Sequence, residues 1–414
     1  MTLGGRRLRF GGLVGLVVLS LGCHESAPSL RGIQDLPSGT ALPGLTSGPN
    51  GPALMFTEES GDTVAVRWAR WRGDRWADTV TIFRDAGLLV DWADRPGLAF
   101  GDGGQAHAHW LRLDPRGDFC YGIETAHSAD GGLTWSLPDQ PHRDTAVAEH
   151  GFGQWMPTSD GALFAWLDGR QFDGHPDPAK APMEVRGAFW RPEHGWSAEQ
   201  VLDSSACTCC PLAAAEVADG DWLLTYRDRT PAEIRDFSAL LLGCDTAGVL
   251  ALKSGPAPIG KDGWEVAGCP VNGSALASAN GRTLAVWFTN AKDEPRIRSA
   301  WRGPEGHWSA VRDLQAGEAV GRVCAAVDGL GRFHAAWMER SEQGPVLVGQ
   351  YWDADGRAML PSPVALPDVD DARAGGFPVM TGLAEGGVML AWTTTGKEAH
   401  VRTALWTPSP QEAD

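Results

Sequence analysis

The 414-residue sequence predicts an all-β fold, a β-propeller of six or seven four-stranded blades, and three observations predict it. A short apolar strand ending in an aromatic residue recurs seven times. Turns rich in Gly and Asp separate these strands from their neighbours. No stretch of ten or more residues carries helical periodicity, which removes the α/β folds.

The recurring aromatics are Phe56, Trp110, Trp166, Tyr226, Trp287, Trp337 and Trp392, spaced 50 to 61 residues apart. Most of their strands follow a turn such as Asp102-Gly103-Gly104, Asp160-Gly161 or Gly329-Leu330-Gly331. A second alternating strand comes next, often with a turn bearing another Trp, as at Gly195-Trp196 and Gly263-Trp264. Short strands at such a period are the signature of a propeller, and the count favours seven blades. A single blade is apolar on both faces, so only stacking against its neighbours buries it. The 19 Trp, against 3 Tyr, are therefore expected mainly as packing between blades. The last repeat lacks a clear outer strand, and residues near Ile33-Gln34-Asp35-Leu36 are expected to supply it and close the ring.

Composition agrees with a folded domain. Hydrophobic residues make up 43% and charged residues 21%, enough for a packed core. The formal charge of −17 repels phosphate backbones, so nucleic acid is not an expected partner.

The N-terminus reads as a targeting segment. Arg6, Arg7 and Arg9 precede a short apolar run, Phe10 to Leu21, that is too brief to span a bilayer. The ending Leu19-Ser20-Leu21-Gly22-Cys23 resembles a bacterial lipoprotein signal, which implies lipidation of Cys23 after removal of residues 1–22. The expectation is an exported protein in a bacterial cell envelope or periplasm, touching membrane only through a lipid anchor. Residues 23–50 read as a flexible tether, and residues 51–414 as one propeller domain.

One turn is specific. Ser128-Ala129-Asp130-Gly131-Gly132-Leu133-Thr134-Trp135 matches the Asp box, Ser-x-Asp-x-Gly-x-Thr-Trp, at every fixed position. Asp130 is placed to accept backbone N–H groups across the hairpin, Gly132 permits a positive φ, and Trp135 tucks between strands. On this motif and the repeat layout from about residue 50 to 406, the chain resembles the sialidase (neuraminidase) superfamily of Asp-box propellers. Asp boxes in that family are structural. The resemblance implies an arginine triad on a substrate carboxylate, a Tyr nucleophile paired with a Glu, and an Asp acid/base, with no cofactor required. Family members have six blades, so a count of seven departs from the pattern. The family's early Arg-Ile-Pro element is not visible, and of the three Tyr only Tyr226 and Tyr351 lie late enough in the chain.

The segments just before the aromatic-ending strands should line the central channel. They carry Asp91-Trp92-Ala93-Asp94, Glu149-His150-Gly151-Phe152, Cys207-Thr208-Cys209-Cys210, Gly268-Cys269-Pro270-Val271-Asn272 and Val323-Cys324. In a propeller these converge on one funnel. Asp94, Glu149 and Asp228 are candidate acid/base groups, because a funnel desolvates a carboxyl and raises its pKa. Tyr226 is the candidate nucleophile. Arg170, Arg229 and Arg235 are candidates for a bidentate clamp on a carboxylate, with His150 and Asn272 as further substrate contacts. Each Arg also has an Asp one or two residues away, so intramolecular pairing is the alternative. His127 and His142, flanking the Asp-box hairpin, are expected at the surface.

Setting Cys23 aside leaves seven cysteines, an odd number for an exported chain. Structural disulfides are one expectation. The other is a soft-metal site, copper or zinc, on Cys207, Cys209, Cys210 and Cys269, with His150 or His109 nearby. Three functions stay open: an exo-glycosidase on sialic-acid-type or other anionic glycans, a metal-binding or redox propeller, and a non-catalytic propeller that binds a glycan or protein.

Overall fold

The computed structural model describes Met1 and residues 29–407, except 119, 178–179, 219, 246–248, 316, 359–363 and 367–368. Residues 2–22 of the expected export signal, and Cys23, lie outside the described residues. The described strands form seven antiparallel sheets, six of four strands and one of five. Their inner strands are Thr40–Gly48, Gly97–Phe100 (preceded by Leu88–Leu89), His150–Thr158, Ala213–Ala218, Ser274–Ala279, Glu318–Val327 and Val379–Gly382. Each inner strand packs against the next, and the seventh returns to the first. That circuit makes the sheets the blades of a seven-bladed β-propeller.

The repeated aromatics sit in the second strand of every blade, and all seven are buried. Trp68, Trp110, Trp166, Trp287, Trp337 and Trp406 are among the largest fully buried side chains. Several use their indole N–H on a neighbouring acid, as Trp110 does on Glu124 at 2.9 Å and Trp337 on Glu339 at 2.7 Å. These two rings thus keep their one polar atom satisfied, whereas the Nε1 of Trp406 has no partner among the described residues.

The N-terminal segment differs from its expectation as a tether. Ser29–Gly32 pairs with Val401–Thr407 as the outer strand of the seventh blade, and Thr40–Gly48 is the inner strand of the first. The hydrogen bonds run on to Ile33 N–H on Thr403 O and Leu36 N–H on Val401 O, so the ring closes where the sequence placed the closure. The misreading has a physical cause. Inner strands crowd the axis and favour small residues, so their composition resembles a linker. A Cβ on Gly44 would lie 3.3 Å from Pro96 O.

The hairpin at residues 128–135 forms as its residues demand. Asp130 Oδ1 accepts the N–H groups of Leu133 and Thr134, and Ser128 Oγ accepts that of Gly132, whose φ is +85°. Trp135 donates to Gly132 O at 3.0 Å and packs half-buried beside Trp68 and Trp110. His127 and His142 are buried, not at the surface. His127 stacks on Trp190 with ring centroids 3.6 Å apart, and His142 stacks on His150 at 4.1 Å. All seven cysteines among the described residues are free thiols, so the expectation of structural disulfides does not hold there.

Candidate functional site

The inner strands begin at one mouth of the axis with a repeated irregularity. Leu42, Phe152, Val271, Arg322 and Gly376 all have positive φ, between +46° and +60°, just where five blades reach the channel. Left-handed backbone at a Val or Leu is strained, and such strain concentrates at binding sites. Below this ring lies a cavity of about 540 Å³, lined by inner-strand residues of all seven blades. Its walls are mostly small: Gly44, Ala93, Ala213, Ala275 and Ala325 among them. That volume is in the range of small-molecule sites.

Asp94, Arg95, His109 and Cys324 bring chemistry to this wall. Asp94 is buried, and Oδ2 accepts the Phe152 N–H at 2.7 Å. Burial pushes its carboxyl up to about 8, with nearby Asp91 and Glu149 adding to the shift against that one hydrogen bond and Arg95. Glu149 is half-buried and pushed up by burial to about 7, while the Tyr121 hydroxyl, donating at 3.4 Å, acts against the shift. A Cβ on Gly151 would lie 2.1 Å from Asp94 Oδ2 and 2.9 Å from Tyr121 Cε2, so only glycine lets the three elements meet. Among the described residues Arg95 makes no hydrogen bond or ion pair, although it stands beside Asp94, Cys324 and His109. His109 is buried with both ring nitrogens unpartnered, and burial holds it down to about 3. A neutral Asp94 leaves the guanidinium of Arg95 without a countercharge in a small-walled chamber.

The cysteine segments also meet at this mouth. Cys207 Sγ lies 3.9 Å from Cys209 Sγ and 3.2 Å from Cys210 Sγ. Cys269 arrives from the loop before the fifth inner strand and sits 3.3 Å from Thr208 Oγ1. Arg235 Nη1 approaches Cys207 Sγ at 3.5 Å. Contacts with Cys209 and Cys210 hold the Cys207 thiol well below its usual range, and contact with Cys209 brings Cys269 down to about 6.

Other candidates do not join the cavity wall. Tyr226 is fully buried between blades, its hydroxyl donating to Asp203, which pushes the phenol further up in the same direction as burial. A nucleophile needs access, so this position is corrected. Asp228 accepts from the Arg229 N–H and the Ser238 hydroxyl. Arg170 is held by Asp168, Glu199 and Asp144, and Arg229 and Arg235 converge on Glu233. These guanidinium groups form no shared clamp; the intramolecular pairing is what the chain adopts. His150 bonds Asp144 at 3.1 Å, in a cluster with His142 that places three ligand-type atoms together but holds Arg170 where a cation would sit. Asn272 ties the fifth blade to the sixth, Oδ1 accepting the Arg322 N–H at 2.8 Å. Tyr351 is buried against Trp406 and His334.

Sequence reasoning passed over Arg95 and Tyr121. The signal for Arg95 was its place directly after Asp94 in a channel segment. Tyr121 was set aside for its early position, though its strand lies beside the segment that carries Glu149.

No protein-family model matches the chain, and no curated protein matches it. Solved structures do. A protein of unknown function from Dyadobacter fermentans is 14% identical with a TM-score of 0.51, covering 78% of this chain and 96% of its own. An ulvan lyase, a polysaccharide lyase, is 7% identical with a TM-score of 0.51 over 90% of this chain and 96% of its own. A phage phi92 endosialidase is 10% identical with a TM-score of 0.49, covering 94% and 70%. At these identities the likeness is one of fold. The chain shares a fold with these proteins, and its own fold is a seven-bladed β-propeller.

Proposed function

We propose that the protein is a glycan-acting enzyme whose central cavity takes an acidic sugar, with Arg95 on the sugar's carboxylate or sulfate. The observation that carries this reading is Arg95, half-buried in the cavity wall with no hydrogen-bond or ion-pair partner among the described residues, beside Asp94 and Glu149, whose carboxyls burial pushes up. An anion entering the cavity supplies the charge that Arg95 lacks, through charge-assisted hydrogen bonds. Asp94, protonated near neutral pH, is suited to act as general acid toward a leaving oxygen. Glu149, polarised by the Tyr121 hydroxyl, takes the partner role of base or nucleophile support. The sialidase resemblance supports the reading with its Tyr–Glu and Asp roles, carried here by Tyr121, Glu149 and Asp94 in place of Tyr226. The ulvan lyase of the same fold has been seen bound to -[GlcA(1-4)Rha3S]-, an acidic saccharide. An export signal over residues 1–22 with lipid on Cys23 is part of the same proposal, because it brings the chain to extracytoplasmic glycans.

The test is product release from sialylated and uronate-containing oligosaccharides by the purified protein. Release by the wild type, lost in Asp94→Asn and Glu149→Gln, supports the reading. Absence of release across both substrate classes would end the enzymatic assignment.

A further inference from the structure

We propose that Cys207, Cys209, Cys210 and Cys269 form a thiolate site for one soft d10 metal ion, Zn(II) or Cu(I), clamping the fourth and fifth blades at the cavity mouth. The Sγ atoms of Cys207, Cys209 and Cys210 all lie within 4.8 Å of one another. Sulfurs in a tetrahedral zinc site, each about 2.3 Å from the ion, stand about 3.8 Å apart. Cys207 and Cys209, at 3.9 Å, already have that spacing, and Cys210 at 3.2 Å needs to open by about half an ångström. A disulfide, at about 2.05 Å, is further from either distance. Cys269, exposed at the end of a second loop and in contact with Cys209, is the fourth donor in this proposal.

Charge supplies an independent argument. Arg227 is 1% exposed and packed between the rings of Phe237 and Trp264, with its guanidinium 4.1 and 4.8 Å from their centroids. It donates to the carbonyls of Asn272, Arg235 and Phe288, and no carboxylate among the described residues pairs with it. A buried cation bonded only to neutral acceptors is costly unless negative charge lies close by. Arg227 acts electrostatically on Cys207 and Cys210, and Arg235 donates to Cys207. Four thiolates around Zn(II) carry two net negative charges, and Arg227 offsets one of them while Arg235, also paired with Glu233, adds a hydrogen bond to Cys207. The loop chemistry fits as well. A Cys-x-Cys-Cys run gives three donors from one turn, and soft sulfur selects zinc or copper over magnesium and calcium.

Metal analysis of the purified full chain, followed by cadmium titration of the chelator-stripped, reduced protein, tests the site. The expected result is one equivalent of zinc or copper as isolated, and a thiolate-to-cadmium ultraviolet band that saturates at one equivalent. Displacement of cadmium by Zn(II) or by Cu(I) tells the two ions apart. Cys209→Ser and Cys269→Ser should weaken cadmium binding at least about tenfold, while Cys244→Ser, on a different strand, leaves it unchanged. The wild-type titration needs no variant to fold. A band that never saturates, saturation that survives Cys207→Ser/Cys209→Ser, or a Cys207–Cys210 disulfide in the isolated protein would overturn the site. None of these readouts depends on glycan turnover.

Discussion

Asp94 Oδ2 accepts the backbone N–H of Phe152 at 2.7 Å, which fastens the second blade to the third at a residue whose φ is +56°. The bond joins a carboxyl that burial keeps protonated to one of the five left-handed positions around the cavity. It makes Asp94 both a structural and a chemical group.

The pH dependence of stability follows from that carboxyl. Its folded pKa of about 8 lies above the unfolded value of 3.8, so the folded chain keeps a proton that the unfolded chain releases. The contribution of Asp94 to stability should therefore fall as pH rises from about 4 to about 8 and level off above, a loss on the order of a few kcal/mol. Asp94→Asn, which keeps an oxygen for the Phe152 N–H, should raise Tm at pH 8 and flatten this slope in urea titrations. The same substitution should abolish turnover. In the wild type, turnover should decline above about pH 8 as the acid is lost.

A second ionisable pair acts at the other end of the pH scale. His107 Nδ1 and His127 Nδ1 are 2.9 Å apart in a Trp-lined pocket, and burial holds the two rings down to about 4 and about 2. Both folded values lie below the unfolded value of 6.5, so the unfolded chain binds the extra protons. The contribution of this pair should be full above about pH 6.5 and lost on acidification, by up to about 1.4 kcal/mol per pH unit for each ring, against the opposite contribution of Asp94. Denaturation midpoints at pH 7 and pH 5 measure the slope, and His127→Phe should reduce it. A slope that His127→Phe leaves unchanged would refute the assignment.

The closure of the ring is testable by truncation. Leu30 pairs with Trp406, a fully buried residue of the seventh blade. Removing residues 29–36 exposes a sheet edge, so lower Tm and self-association are expected in scattering measurements. Trp406→Ala, which leaves the strand in place, should cost about 3–5 kcal/mol.

Lipidation gives a prediction of its own. Metabolic labelling with palmitate in a bacterial host should mark the protein, and Cys23→Ser should remove the label and release the protein from membranes. Labelling retained by Cys23→Ser would remove the anchor.

Much of the fold was legible because propeller blades repeat one packing problem. Each blade needs a large aromatic from its second strand, and the seven from Phe56 to Trp392 can be counted without knowing any contact. The tether was misread because small residues serve both a linker and an inner strand. Within the site, Asp94, Glu149 and the cysteines stood out because channel segments concentrate polar residues where strands should be apolar. Whether an arginine has spare donors is invisible in one dimension. Arg170 and Arg235 look as available as Arg95 until Asp168, Glu199 and Glu233 are seen to occupy them. Tyr226 and Tyr121 differ likewise: only packing decides which hydroxyl meets a carboxyl at the mouth.

Calorimetric titration of glucuronate and sialate oligosaccharides into the wild type and Arg95→Gln tests the central claim most directly. Arg95 has no hydrogen-bond or ion-pair partner among the described residues to lose, so the variant should fold with a Tm no lower than the wild type's. Its affinity for the acidic sugar should fall about tenfold to a hundredfold, the worth of a charge-assisted hydrogen bond. Equal affinity in the two proteins, or binding of neutral sugars as tight as that of acidic ones, would contradict an anion site at the propeller axis.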